Sequence, residues 1–140
     1  MTNRTFAIIK PDAIKNGTTG KIYDKIIIMG FKILGAKLIR MSLIQAQAFY
    51  EIHKGKPFYD ELTKFMSSSQ SMVLVLEKNN AVSEWRETIG ATNPKEAALG
   101  TIRRDFATSI EENAVHGSDS DKNAKKEIGF FFIDSELITK

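Results

Sequence analysis

The sequence predicts an α+β fold: a ferredoxin-like βαββαβ antiparallel sheet, helices packed on one face, and a loop inserted between Gly90 and Asn113. Three observations predict it. Short apolar runs of strand character recur at Thr5–Ile9, Phe31–Met41, Met72–Glu77 and Asn113–His116. Between them, apolar residues fall at helical spacing. Gly, Pro, Thr and Asn gather in residues 90–100, where neither pattern holds. A chain of 140 residues can bury one core, so a single domain over 1–140 is expected.

Thr5–Ile9 reads as the first strand, ended by Pro11, which has no N–H for a ladder. Asn16–Gly20 is a turn. Ile22, Tyr23, Ile26, Ile27 and Met29 then mark a helix over Gly20–Met29, with Gly30 past its C-terminus. Phe31–Met41 is a long strand with a bulge or bend near Gly35. Ser42 and Gln45 form a capping-box pattern for a helix running to about Ile52, which Gly55 and Pro57 break. Phe58–Met66 is a second short helix, and Ser67–Ser71 a polar linker. Met72–Glu77 is apolar on both faces and therefore central. Asn80 can cap a helix ending at Ile89, with Val82, Trp85 and Ile89 on one face. Ile102–Phe106 has no clear state. Asn113–His116 is a short strand, and a helix follows from Ser118–Asp121 through Ile128. The tail, Phe130–Lys140, packs three Phe and then frays.

Composition narrows the chemistry. With no Cys, disulfides, thiol nucleophiles and cysteine metal sites are excluded, and two His exclude a histidine-rich metal centre. The net charge of +3 hides an uneven spread: 11 basic and 5 acidic residues in 1–66, 9 and 12 in 67–140. No basic run exceeds two residues, so nucleic acid is at most a secondary partner, and a few convergent cations on a small polyanion fit as well. The apolar runs are far shorter than a membrane span or a signal sequence, so no membrane association is expected and a cytoplasmic location is.

His116 is the leading nucleophile or base. Gly117 beside it allows close approach of a ligand, and Ser118 or Asp119 can cap the following helix, whose free N–H groups favour an anion. Glu127 could fold back onto one ring nitrogen and leave the other free. A structural histidine at a turn is the competing reading. His53, at a helix end, is explained by the helix dipole. Lys10, Arg86 and Arg103 each read singly as solvated charges. Together with Thr92 and a histidine they could clamp a triphosphate. Phe58 after Pro57 could stack on a base, or lie in the core with Tyr59 outside. Tyr50 could approach the histidine, or leave its tip in solvent. P-loop, dinucleotide and protein-kinase motifs are absent.

The string Asn113-Ala-Val-His116-Gly-Ser-Asp-Ser120 resembles the active-site signature of nucleoside diphosphate kinases. So do Thr5-Phe-Ala-Ile-Ile-Lys10-Pro-Asp-Ala13, Lys56-Pro-Phe58-Tyr-Asp-Glu-Leu62, Gly90-Ala-Thr92-Asn-Pro94, Gly100-Thr-Ile-Arg103-Arg-Asp-Phe106 and Glu127-Ile-Gly, in family order across about residues 4–133. The resemblance implies γ-phosphoryl transfer from a nucleoside triphosphate to a nucleoside diphosphate, by ping-pong through a phosphohistidine, which maintains triphosphate pools. It implies His116 as nucleophile through Nδ1, with Nε2 held by Glu127, Ser118 on that carboxylate and Tyr50 near the ring. Phe58 would stack on the base from one side, giving low base specificity. Arg86, Thr92 and Arg103 would bind phosphates, and Lys10 and Asn113 the ribose 3′-hydroxyl region, with Lys10 also close to the transferring group. Mg²⁺ would ride on nucleotide phosphates and waters; no firm protein ligand is implied beyond Asp119 through water. Such enzymes are homo-oligomers, and the short bacterial-type C-terminus favours a tetramer over a hexamer. Two departures stand out. Ser68-Ser69-Gln70 replaces the frequent Ser-Gly-Pro, and Leu99 stands where Ala or Pro is usual, so a local change of turn and of loop packing is expected.

Overall fold

The computed structural model describes residues 3–139, so Met1, Thr2 and Lys140 of the expected 1–140 domain, with the last residue of the fraying tail, lie outside the described residues. Four strands form one antiparallel sheet: β1 Arg4–Ile9, β2 Lys32–Arg40, β3 Gln70–Glu77 and β4 Val115–Gly117, in the order β2-β3-β1-β4. β3 is interior, as its two-sided apolar pattern requires, and the register shifts between Ile33 and Gly35 where a bulge is expected. The helices are α1 Pro11–Lys15, α2 Thr19–Ile28, α3 Leu43–Phe49, α4 Tyr59–Met66, α5 Ala81–Ile89, α6 Ile102–Phe106 and α7 Asp121–Phe131.

Helices cover both faces of the sheet, not one. Ala7, Ile9, Leu74 and Leu76 meet Ile22 and Ile26 of α2 and Trp85 and Ile89 of α5. On the opposite face Phe6, Ile8, Val73 and Val75 meet Ala46, Tyr59, Met66 and Phe132. The alternation of β1 sends successive side chains to opposite faces, and all four of Phe6–Ile9 are buried. Such a strand needs cover on both sides.

Other differences are local. Pro11 does not only end β1; it opens α1, where a missing N–H costs nothing. α3 is shorter than expected, because its last turn tightens into a 3₁₀ segment, Glu51–His53. The Ser42–Gln45 capping box is present, with reciprocal bonds of 2.9 and 3.0 Å. Asn80 precedes α5 without a side-chain cap; it takes φ 56°, a left-handed turn that Asn tolerates. Ile102–Phe106 is helical, capped by Thr101. The cap of α7 is Ser120 rather than Ser118 or Asp119, and that helix extends past Ile128 to Phe131. Gln70 opens β3, and Leu99 is exposed.

Candidate active site

The site forms where the C-terminal end of β1 meets β4. Ile8 pairs with His116 and Ile9 with Val115, so residues just past β1 lie beside those that lead into β4. Lys10 is the first. Its N–H donates to Ala114 O (2.9 Å) and its Nζ to Asn113 Oδ1 (2.9 Å). Asp12, in the first turn of α1, accepts the Ala114 N–H on Oδ2 (3.0 Å), while its buried Oδ1 has no partner. Ala114 sits at φ 71°, a conformation unusual for a residue with a Cβ. Burial, then the neighbouring Arg103, pull the Lys10 ammonium from 10.5 down to about 8, against a smaller upward pull from Asp12. Burial raises the Asp12 carboxyl above its ordinary value, opposed by the Ala114 hydrogen bond and Lys10.

His116 faces the side of the sheet covered by α3 and α7. Its Nε2 lies 2.8 Å from Glu127 Oε1 of α7, and the same oxygen accepts from Ser118 Oγ at 2.8 Å. The Glu127 carboxylate is thereby fixed from two sides, and Nδ1 is the ring nitrogen left for chemistry. The rings of Phe6, Phe49 and Tyr50 pack around the imidazole with centroids 5.4–6.1 Å away. From the other face, Trp85 Nε1 donates to His116 O (3.1 Å). Gly117 is needed beside it: a Cβ there would lie 2.8 Å from Trp85 Cδ1. The tip of Tyr50 is not in solvent. The residue is 6 % exposed, its hydroxyl is unpartnered, and burial followed by Glu127 pushes its ionisation well upward.

A cavity of about 630 Å³ opens over this corner. Lys10, Tyr50, Phe58, Arg86, Thr92, Arg103, Asn113, His116, Asp119 and Glu127 all line it. Of the residues singled out in the sequence, Ser118 alone stands back, fully buried behind Glu127. Lys10 and Arg103 are not solvated charges: they are 7 % and 9 % exposed. Arg103 donates to the carbonyls of Gly90, Asn113 and Val115 at 2.9–3.3 Å, which fixes the plane of its guanidinium. Burial, then Arg86, draw its pKa down to about 10. Asn113 Nδ2 reaches Thr92 O at 3.4 Å, joining the 90–100 loop to β4.

The pairing of Phe58 and Tyr59 is the reverse of the core-phenylalanine reading. Phe58 is 48 % exposed at the cavity, while Tyr59 is buried and donates to Gln47 O. Further residues that sequence reasoning did not assign to the cavity also line it, His53 and Ile110 among them. His53, explained there by a helix end, lies 5.3 Å from the Phe58 ring; burial first, then Lys56, lowers its pKa. Ile110 is half exposed at the cavity. Its only sequence signal is an apolar side chain in an otherwise polar loop.

The cavity can hold an elongated anion: Lys10, Arg86 and Arg103 supply positive charge around a histidine, and Phe58 offers an exposed ring. No group of three or more His, Asp or Glu among the described residues could hold a metal ion. Asp119 lines the cavity near His116 but its Oδ1 already accepts from Asn123 (2.6 Å), and that bond first, with Ser120, holds its carboxyl low.

The family model for nucleoside diphosphate kinase matches residues 3–137. A nucleoside diphosphate kinase of Geotalea uraniireducens is 55 % identical over 135 residues, covering 96 % of this chain and 98 % of its own. One from Campylobacter fetus is 56 % identical over 134 residues, with the same coverage. Among solved structures, the Aquifex aeolicus nucleoside diphosphate kinase superposes with a TM-score of 0.96 at 41 % identity, over 99 % of this chain and all of that one. A Halobacterium salinarum nucleoside diphosphate kinase in complex with CDP gives 0.95 at 35 % identity, over 100 % of this chain and 93 % of that one.

Proposed function

Because the chain belongs to the nucleoside diphosphate kinase family, we propose that His116 is the residue that carries the phosphoryl group between its two nucleotides. The enzyme moves the γ-phosphoryl of a nucleoside triphosphate to a nucleoside diphosphate through a phosphohistidine intermediate, and a divalent metal accompanies the nucleotide. The observation that carries the assignment is the His116–Glu127–Ser118 relay at a cavity that Lys10, Arg86 and Arg103 also line.

In this reading the Nε2–H donates to Glu127, so the Nδ1 lone pair attacks the γ-phosphorus in line with the bond to the β-phosphate oxygen. That P–O bond breaks, the P–N bond forms, and the nucleoside diphosphate leaves. An acceptor diphosphate then attacks the same phosphorus, and the P–N bond breaks as histidine is regenerated. Glu127 stabilises the ring as positive charge builds on it, and Ser118 holds Glu127. Lys10, Arg86 and Arg103 neutralise the equatorial oxygens and the leaving group, and the Thr92 hydroxyl donates a hydrogen bond to them. Lys10 and Asn113, already bonded to each other, meet the ribose 3′-hydroxyl, and Tyr50 borders the imidazole. Phe58 stacks on the base by one face, which tolerates any base.

We infer that the metal is Mg²⁺; Asp119 would help to hold it through water, and it would supply charge neutralisation at the phosphates. We propose a cytoplasmic enzyme; no helix among the described residues is long and apolar enough to cross a membrane. We propose a homo-oligomer, a tetramer rather than a hexamer; Ile27, Ile28 and Leu38 are all exposed.

The test is incubation with γ-labelled ATP and Mg²⁺ without acceptor. Acid-labile, base-stable label on the protein is expected, and it should vanish in His116→Ala. Equal labelling of that variant refutes the assignment.

A further inference from the structure

We propose that Asp12 is a positioning residue for phosphoryl transfer: by accepting the Ala114 N–H, it holds the left-handed residue that aims Asn113 and His116 at one reaction centre. The proposal rests on the reading of His116 as the nucleophile.

Ala114 lies between two cavity residues, one position after Asn113 and two before His116. A tight three-residue turn centred on Ala114, closed by Val115 N–H donating to Asn113 O at 2.8 Å, separates Asn113 from β4. Glycine would adopt this angle without cost; alanine adopts it only where the surroundings compel it. Besides the bond that closes the turn, two bonds hold Ala114 itself. Lys10 N–H grips the Ala114 carbonyl, and Asp12 Oδ2 grips its N–H. Both come from one short segment, Lys10–Asp12, which also supplies the Lys10 ammonium bound to Asn113. The peptide unit that separates nucleophile from ribose ligand is thus clamped by the strand end that carries the catalytic cation.

The cost of the clamp points to a role beyond stability. Asp12 is 4 % exposed, with one carboxylate oxygen left unpartnered. A half-satisfied buried carboxylate facing a strained non-glycine residue is a poor way to stabilise a fold. Such costs persist where they fix a functional geometry. Burial already works against its ionised form; the Ala114 N–H first, then Lys10 and the backbone N–H groups of Asp12 and Ala13, favour it.

The test is single-turnover phosphoenzyme formation in the full chain, following rate and amplitude separately. The proteins are the parent, Asp12→Ala, Ala114→Gly and the double variant. Asp12→Ala is expected to slow formation ten- to a hundredfold at near-full amplitude, because the folded enzyme is present with its histidine misaimed. Ala114→Gly alone should change the rate less than threefold. In the Ala114→Gly background the Asp12→Ala penalty should shrink at least fivefold, since the chain then needs no force to take the turn. Should Asp12→Ala not fold, Asp12→Asn carries the same measurement: its amide keeps one acceptor, and a three- to tenfold slowing at full amplitude is expected. An unchanged rate with reduced amplitude, in either variant, assigns Asp12 a purely structural role and overturns the proposal. So does an undiminished penalty in the Ala114→Gly background. Absence of label in the parent, or label surviving in His116→Ala, would instead strike the nucleophile assignment itself.

Discussion

Lys10 should make activity and stability move in opposite directions with pH. Its ammonium falls from 10.5 to about 8 on folding, because the protein buries it and sets Arg103 nearby. The unfolded chain therefore binds more protons than the folded one between about pH 8 and 10.5. Unfolding free energy rises with pH wherever that is so, so the cost of the charged lysine is complete below pH 8 and relieved by pH 10.5. At 1.36 kcal/mol per tenfold change in proton affinity, the full cost is about 3 kcal/mol. Lys10→Met removes it while forfeiting the hydrogen bond to Asn113, worth about 1 kcal/mol. The variant should then be more stable than the parent at pH 7, by about 2 kcal/mol. Urea unfolding of both proteins from pH 7 to 10.5 should show that advantage vanishing as pH rises. Comparison with the variant cancels the titration of other surface groups. Meanwhile kcat/KM of the parent, which reports the free enzyme, should fall above pH 8 as the cation is lost. Arg103, held near 10, and Tyr50, pushed upward, keep their protons through pH 9, so that limb belongs to Lys10. A stability difference independent of pH, or a kcat/KM flat from pH 7.5 to 9.5, refutes the reasoning.

Glu127→Gln keeps the shape of the relay but weakens its charge-assisted bonds to His116 and Ser118; kcat should drop about ten- to a hundredfold, with little change in melting temperature. Stopped-flow turnover and calorimetry together check it. Gly117→Ala sets a Cβ 2.8 Å from Trp85 and 3.1 Å from Ile89, so β4 must shift; a loss of about 1–3 kcal/mol by denaturant titration should accompany a larger loss of activity. Ser42→Ala removes the hydroxyl that accepts the Gln45 N–H, in a capping box whose residues do not line the cavity. It should cost about 1 kcal/mol in the same titration, with kcat unchanged.

The parts of the fold that alternation and helical spacing determine were legible in the sequence. The bulge near Gly35, the interior position of β3 and the Ser42 cap all follow from local side-chain chemistry. The unbroken apolar run Phe6–Ile9 carried a hint of cover on both faces, but helix spacing alone does not say which face a helix takes. α1 was hidden because proline stops a strand and starts a helix by the same missing N–H. Short segments such as Ile102–Phe106 carry too few turns for a period to emerge. At the site, His116, Lys10 and the cations could be named from residue type and motif. Their burial could not: Lys10 and Arg103 look solvated until carbonyls and Asn113 are seen to receive them. Asp12 left no separate signal, since its role depends on the φ of a residue 102 positions away.

The pairing of β1 with β4 has a consequence in time. β2 meets β3 across a modest loop, whereas Ile8 meets His116 across most of the chain. Closing such a loop is entropically costly, and contacts of this kind tend to form late and slowly. His116, the proposed nucleophile, thus reaches Lys10 only after the rest of the sheet has something to close upon. During synthesis, a ribosome must deliver nearly the whole sequence before a phosphate could find its binding partners. Until then the growing chain is helices and strands without an enzyme, and its reactive histidine is still to be joined to the lysine made near the start.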